Sequence, residues 1–164
     1  LSELKEAFQQ IYTGEAKAVL RLRVYARIAE QEGLAQIAKL FRVIAFSEEI
    51  HGERALRRLK EIKDTESNVK ASFESETKVA GIAYERFIKI ASEQNDEGAL
   101  KIFSQSRDVE DVHAKLYKEA MTHLMEERET SYYVCQVCGY VSDGVLPEQC
   151  PVCGAGKEQF SKFE

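Results

Sequence analysis

Apolar residues recur at intervals of three and four along most of this chain. Leu4, Phe8, Ile11, Ala18, Leu22, Tyr25 and Ile28 set one stripe on a helix expected from Ser2 to about Gln31. Gly33 follows as a residue able to take the left-handed conformation that ends a helix. A second helix is expected from about Leu34 to Ile62, with Ile37, Leu40, Phe41, Ile44 and Leu56 turned inward. The run Asp64-Thr65-Glu66-Ser67-Asn68 is polar and reads as a loop. A third helix is expected over Val69 to Gln94, a turn at Asn95-Asp96, and a fourth helix from Glu97 to Arg128. The two prolines are Pro147 and Pro151, so nothing in the first 146 residues interrupts a helical ladder.

The two helix pairs repeat one another at an offset of 62 residues. Tyr25, Ile28 and Ala29 match Phe87, Ile90 and Ala91, and Leu40 and Phe41 match Ile102 and Phe103. The motif Glu48-Glu49-Ile50-His51 matches Glu110-Asp111-Val112-His113. Two such pairs predict a four-helix bundle with a pseudo-twofold axis through its core. One detail slips: Glu15 lies 33 residues before Glu48, while Glu76 lies 34 before Glu110. An extra residue is therefore expected in the third helix or its exit turn, in the form of a π-bulge.

After Ser131 the helical pattern stops. Tyr132-Tyr133-Val134 reads as a short strand, followed by Cys135-x-x-Cys138-Gly139 and Cys150-x-x-Cys153-Gly154. Each glycine permits the tight turn that aims backbone amides at sulfur. No secretory segment opens the sequence. All four cysteines sit in these two pairs, which points to metal binding in a reducing cytosol rather than to disulfides. The net charge of −5, with no basic stripe, argues against nucleic acid. Apolar runs are far too short for a membrane helix.

Glu48 and His51 project from one helix face, as do Glu110 and His113. Two single glutamates, Glu15 and Glu76, with two Glu-x-x-His pairs form the ligand pattern of a di-iron or di-manganese carboxylate centre. Four carboxylates neutralise two divalent ions, and two imidazoles suit iron or manganese. Ile11, Ala18, Ile50, Val79, Val109 and Val112 surround these residues in sequence, so a buried site is expected. The four cysteines, Cys135, Cys138, Cys150 and Cys153, fit a tetrathiolate cage for zinc or for iron. Zinc with an inert bundle would make a metal-stabilised binding module. Iron in the cage would make an electron carrier.

The whole set resembles the rubrerythrin family. The matching residues are Gly14-Glu15, Glu48-x-x-His51, Glu76, Glu110-x-x-His113, Cys135-x-x-Cys138-Gly139-Tyr140 and Cys150-Pro151-x-Cys153-Gly154. The resemblance implies a mainly helical chain, with a ferritin-like di-iron four-helix bundle over residues 1–130 and a rubredoxin-like four-cysteine iron domain over 131–164. It implies a cytoplasmic non-haem iron peroxidase that reduces hydrogen peroxide to water. Electrons would enter from an external reductase through the cysteine-bound iron. A ferroxidase or oxygen-reducing iron-handling protein is the alternative. Glu15, Glu48, His51, Glu76, Glu110 and His113 would be the catalytic ligands, with Tyr84 a hydrogen-bond donor beside them. One departure is Val79, where the family carries a further glutamate, and this favours the alternative. Leu22 likewise stands where the family has a tyrosine. A head-to-tail homodimer is expected, because a fourth helix running to Arg128 would carry the cysteine knuckle far beyond its own chain's ligands. Met121 and Met125 read as packing residues, and His123 and Glu126-Glu127-Arg128-Glu129 as surface.

Overall fold

The computed structural model describes residues 2–122 and 129–164. His123, Met125 and the Glu126–Arg128 part of the charged run lie outside the described residues. Two compact units are present, Leu1–Lys63 and Asp64–Glu164.

The first unit is an antiparallel pair of helices, α1 (Glu3–Gln31) and α2 (Ala35–Leu59). Ser2 caps α1 by accepting from the Lys5 amide. The chain reverses at Gly33 (φ 77°), where the Leu34 amide bonds the Ala29 carbonyl. Small residues let the helices approach: Ala26, Ala29, Ala38, Ala45, Gly52 and Ala55 are buried. An ideal Cβ on Gly52 would stand 3.5 Å from Glu15 Cβ. Tyr25 meets Phe41 edge-on at 5.7 Å. Ion pairs Arg23–Glu49 and Arg42–Glu30 lace one exposed side. Such solvated pairs contribute at most about 1 kcal/mol each.

The second unit begins with α3 (Thr65–Lys78), which continues through a π-helical turn (Val79–Tyr84) into α4 (Glu85–Glu93). The polar run 64–68 is therefore not a loop. Asp64 is an N-cap whose carboxylate accepts from the Ser67 amide at 2.8 Å, and the helix starts at Thr65. The π-turn is the extra residue that the slipped repeat required. Asn95 (φ 53°) repeats the role of Gly33, with the Asp96 amide on the Ala91 carbonyl. Asp96 then accepts from the Ala99 amide, and α5 (Glu97–Thr122) packs back against α3 and α4. Phe87 and Phe103 sit 5.6 Å apart, the counterpart of Tyr25 and Phe41.

The rest of the second unit is a three-stranded antiparallel sheet in the order β2-β1-β3, with β1 Tyr132–Cys135, β2 Val141–Asp143 and β3 Phe160–Phe163. Its two cysteine turns are built alike. The Gly139 amide bonds the Cys135 carbonyl and the Gly154 amide the Cys150 carbonyl, both at 2.9 Å, with φ 84° and 79° at the glycines.

The inward residues expected from the apolar stripe are placed differently. Ile37, Leu40 and Ile44 are 44%, 54% and 40% exposed, and Leu4, Ile11, Tyr25 and Ile28 are also exposed. Among the described residues the largest fully buried side chain is that of Cys135. Two helices have only one mutual seam, and here alanines fill it, so the larger side chains flank the seam and stay open. Deleting Gly81 should convert the π-turn to α-helix and swing Glu76 by about 100° relative to α4. Circular dichroism should show unchanged helix content while titration shows loss of metal binding at the Glu76 cluster.

Candidate metal centre

Within the first unit Glu15, Glu48 and His51 converge, each offering a ligand atom within 4.8 Å of the others. His51 Nδ1 lies 2.9 Å from Glu48 Oε2 and 4.0 Å from Glu15 Oε1. Within the second unit Glu76, Glu110 and His113 do the same, with His113 Nδ1 3.1 Å from Glu110 Oε2. The repeat thus extends to ring orientation, since each imidazole presents Nδ1 to the carboxylate three residues before it. The expected full burial is not found. Five of the six are half-buried and His51 is exposed, because each cluster sits on an open helix face.

His113 has a second partner. Its Nε2 lies 3.3 Å from the Gly139 carbonyl, directly after Cys138. A carbonyl only accepts, so this contact is made with the proton on Nε2, the tautomer that frees Nδ1 to bind a cation held by Glu110. The turn rests on Val109, whose Cγ1 would be 3.8 Å from a Cβ at Gly139. This corrects the expectation that the knuckle lies far from its own chain's ligands. That expectation placed the knuckle beyond the helix end, whereas the turn after Cys138 returns to the middle of α5.

The four cysteines are unbonded. Cys135 and Cys153 sulfurs are 3.7 Å apart, and those of Cys138 and Cys150 are 3.6 Å apart. Four sulfurs held tetrahedrally at ~2.3 Å from one metal stand ~3.8 Å apart, so the cage already has the shape of a tetrathiolate site. Burial pushes the Cys138 thiol up. Burial acts the same way on Cys150, but the Cys153 and Val152 amides outweigh it and bring that thiol below its ordinary range. Tyr84 is half-buried in the π-turn and meets Phe87 edge-on at 5.9 Å. Val79 opens the same turn and is half-buried.

Both clusters fit cations. Among the described residues the only basic side chains within 4 Å of these glutamates are the two motif histidines. Burial, then the hydrogen bond and repulsion from Glu110, push the Glu76 carboxyl up from 4.5 to about 7. A group that binds its proton more tightly when folded stabilises the fold below its unfolded pKa and loses that contribution as pH rises through the folded one. Metal-free protein should therefore lose thermal stability between about pH 4.5 and pH 7. Glu76→Gln should flatten that decline, as thermal unfolding monitored by circular dichroism will show.

Comparison with known proteins agrees with this geometry. The rubrerythrin family profile matches residues 6–121, and the profile of the rubrerythrin rubredoxin-like domain matches residues 133–161. Rubrerythrin-2 of Clostridium acetobutylicum is 28% identical over 93% of this chain and 92% of its own. Nigerythrin of Nitratidesulfovibrio vulgaris is 26% identical over 99% of this chain and 86% of its own. The structure of fully reduced, all-ferrous nigerythrin aligns with a TM-score of 0.61 at 24% identity, covering 99% of this chain and 88% of that one. The two glutamate–histidine clusters and the four grouped cysteines are residues able to hold metal ions, and the chain belongs to the rubrerythrin family, with its di-iron site and its rubredoxin-like four-cysteine site.

Proposed function

We propose that this di-iron redox protein is a peroxidase that reduces hydrogen peroxide to water, with electrons delivered through the cysteine-bound iron. The observation that carries the reading is the 3.3 Å contact between His113 Nε2 and the Gly139 carbonyl. It puts the electron-entry cage one residue from a group that touches the Glu76–Glu110–His113 cluster. Bound iron supplies the electrons that split the O–O bond of peroxide, and the chain supplies the ligand geometry and the protons.

Glu15, Glu48 and His51 form one ligand triad and Glu76, Glu110 and His113 the other. With its proton on Nε2 toward the Gly139 carbonyl, His113 would offer the Nδ1 lone pair to a metal. Tyr84, half-buried in the π-turn, would serve as a further hydrogen-bond donor to the ligands. An external reductase refills the cysteine-bound iron, and the setting is the cytoplasm of a cell defending itself against peroxide. No helix of the described residues is long and apolar enough to cross a membrane.

A second reading, a ferroxidase with dioxygen as oxidant, is favoured by Val79, since valine cannot ligate. Stopped-flow mixing of the fully reduced protein with peroxide and, separately, with dioxygen decides between them. The peroxidase reading expects peroxide to react at least about tenfold faster, worth about 1.4 kcal/mol of barrier. Faster reaction with dioxygen would overturn it. Val79→Glu should raise the peroxide-to-dioxygen rate ratio further. Unchanged rates and an unchanged ferric spectrum would show that position 79 does not reach the metals.

A further inference from the structure

We propose that the first unit carries a binding groove for an organic hydroperoxide that bears a carboxylate. Arg54 and Arg58 would take the carboxylate, and the peroxide group would lie beside Glu15 and His51. The inference rests on the peroxidase reading above and names a further substrate class for it.

The groove lies between α1 and α2 and has a volume of about 610 Å³. Phe8, Ile11 and Glu15 recur at three and four along α1, and His51, Arg54 and Arg58 do so along α2, so each set is one stripe on its helix. The helices are antiparallel, and the two stripes run side by side. Glu15 Oε1 and His51 Nδ1 meet at one end, 4.0 Å apart. At the other end the Arg58 guanidinium stands over the Phe8 ring, 5.6 Å from its centroid. The helix from His51 to Arg58 spans about 10 Å. Ala55 is buried between the ends, and Ile11 stays open on the opposite wall. Mainly apolar walls with a few charged groups, in a volume of this order, are the properties of a small-molecule site. Hydrogen peroxide does not need such a space, since one water takes up only about 30 Å³ of liquid.

The charges select an anion. Arg57 also lines the groove, but Glu53 holds its guanidinium. Arg58 rests on Phe8, and Arg54 has no ion-pair partner among the described residues. Both stand on the His51 side of α2, where a guanidinium repels the cations that Glu15, Glu48 and His51 can hold. A bound carboxylate offsets that repulsion and gives the guanidinium the planar, two-oxygen partner that it fits best. An alkyl chain then lies along Phe8, Ile11 and Ala55, and the far end of the molecule reaches Glu15 and His51. There the O–O bond of ROOH breaks as it does in hydrogen peroxide. ROOH takes two electrons that originate in the external reductase and two protons from solvent, and leaves as the alcohol ROH and one water. The same arginines oppose the entry of ferrous ion by this route.

The test begins with binding. The whole chain, iron-loaded and metal-free, is titrated with decanoate in a calorimeter. Decanoate should bind both forms, and Arg54→Gln should weaken binding about tenfold through loss of one charge-assisted hydrogen bond. Acetate, which lacks the chain, and decanol, which lacks the charge, should each bind wild type at least about tenfold more weakly than decanoate. Arg54 is exposed, so the variant should keep the helix content of wild type, as circular dichroism will show. The reduced, iron-loaded protein is then mixed with decanoic acid carrying a hydroperoxide on its terminal carbon and, separately, with hydrogen peroxide. Arg54→Gln should lower the ratio of the first rate to the second about tenfold. Absence of decanoate binding, equal binding of acetate or decanol, or a rate ratio that Arg54→Gln leaves in place overturns the proposal. Wild type that reduces hydrogen peroxide and not the organic hydroperoxide overturns the proposal and leaves the peroxidase reading standing. Wild type that reduces neither sinks the peroxidase reading itself.

Discussion

Four glutamates set among isoleucine, leucine and tyrosine side chains are the constraint on which this structure depends. In the metal-free chain these carboxylates are half-buried, and Glu76 stands beside the like-charged Glu110. An uncompensated buried charge costs several kcal/mol. Among the described residues no lysine or arginine stands within 4 Å of them, and His51 and His113 are the basic groups that do. Glu76 already responds in the metal-free state by holding its proton to about pH 7. Bound cations would relieve that repulsion in each cluster.

The same constraint explains the symmetry. A glutamate from one helix and a Glu-x-x-His pair from the next give one cluster, and the repeat supplies a second of the same kind. Strict repetition would have placed Glu76 one position away. The π-turn at Val79–Tyr84 takes up the extra residue and lets α4 keep its packing on α5 while Glu76 stays on the ligand face. Within the second unit the knuckle meets the cluster through a main-chain carbonyl, that of Gly139 against His113 Nε2.

Much of this was legible in the sequence because it follows from period and local chemistry. The stripe gave the helices, Gly33 and Asn95 their ends, and the slipped offset the π-turn. The Cys-x-x-Cys-Gly pairs gave the cage. Three things were not legible, for different reasons. The run at Asp64–Asn68 looked like a loop by composition, although an aspartate three residues before Ser67 is also a helix cap, and the cap prevailed. The stripe marks a face as apolar but does not say what covers it, so Ile37, Leu40 and Ile44 were assigned to a core they do not reach within their own unit. The docking of Gly139 on His113 involves a backbone carbonyl, which leaves no trace in residue identity.

The central claim is that the two glutamate–histidine clusters hold one coupled pair of irons rather than two independent ions. Low-temperature Mössbauer spectroscopy of the iron-loaded ferric protein in a strong applied field tests it directly. The account expects the bundle iron to be diamagnetic through antiferromagnetic coupling, beside a separate high-spin ferric signal from the four cysteines. Magnetically split, uncoupled ferric spectra from the bundle would contradict it, because each cluster would then be a mononuclear site of its own.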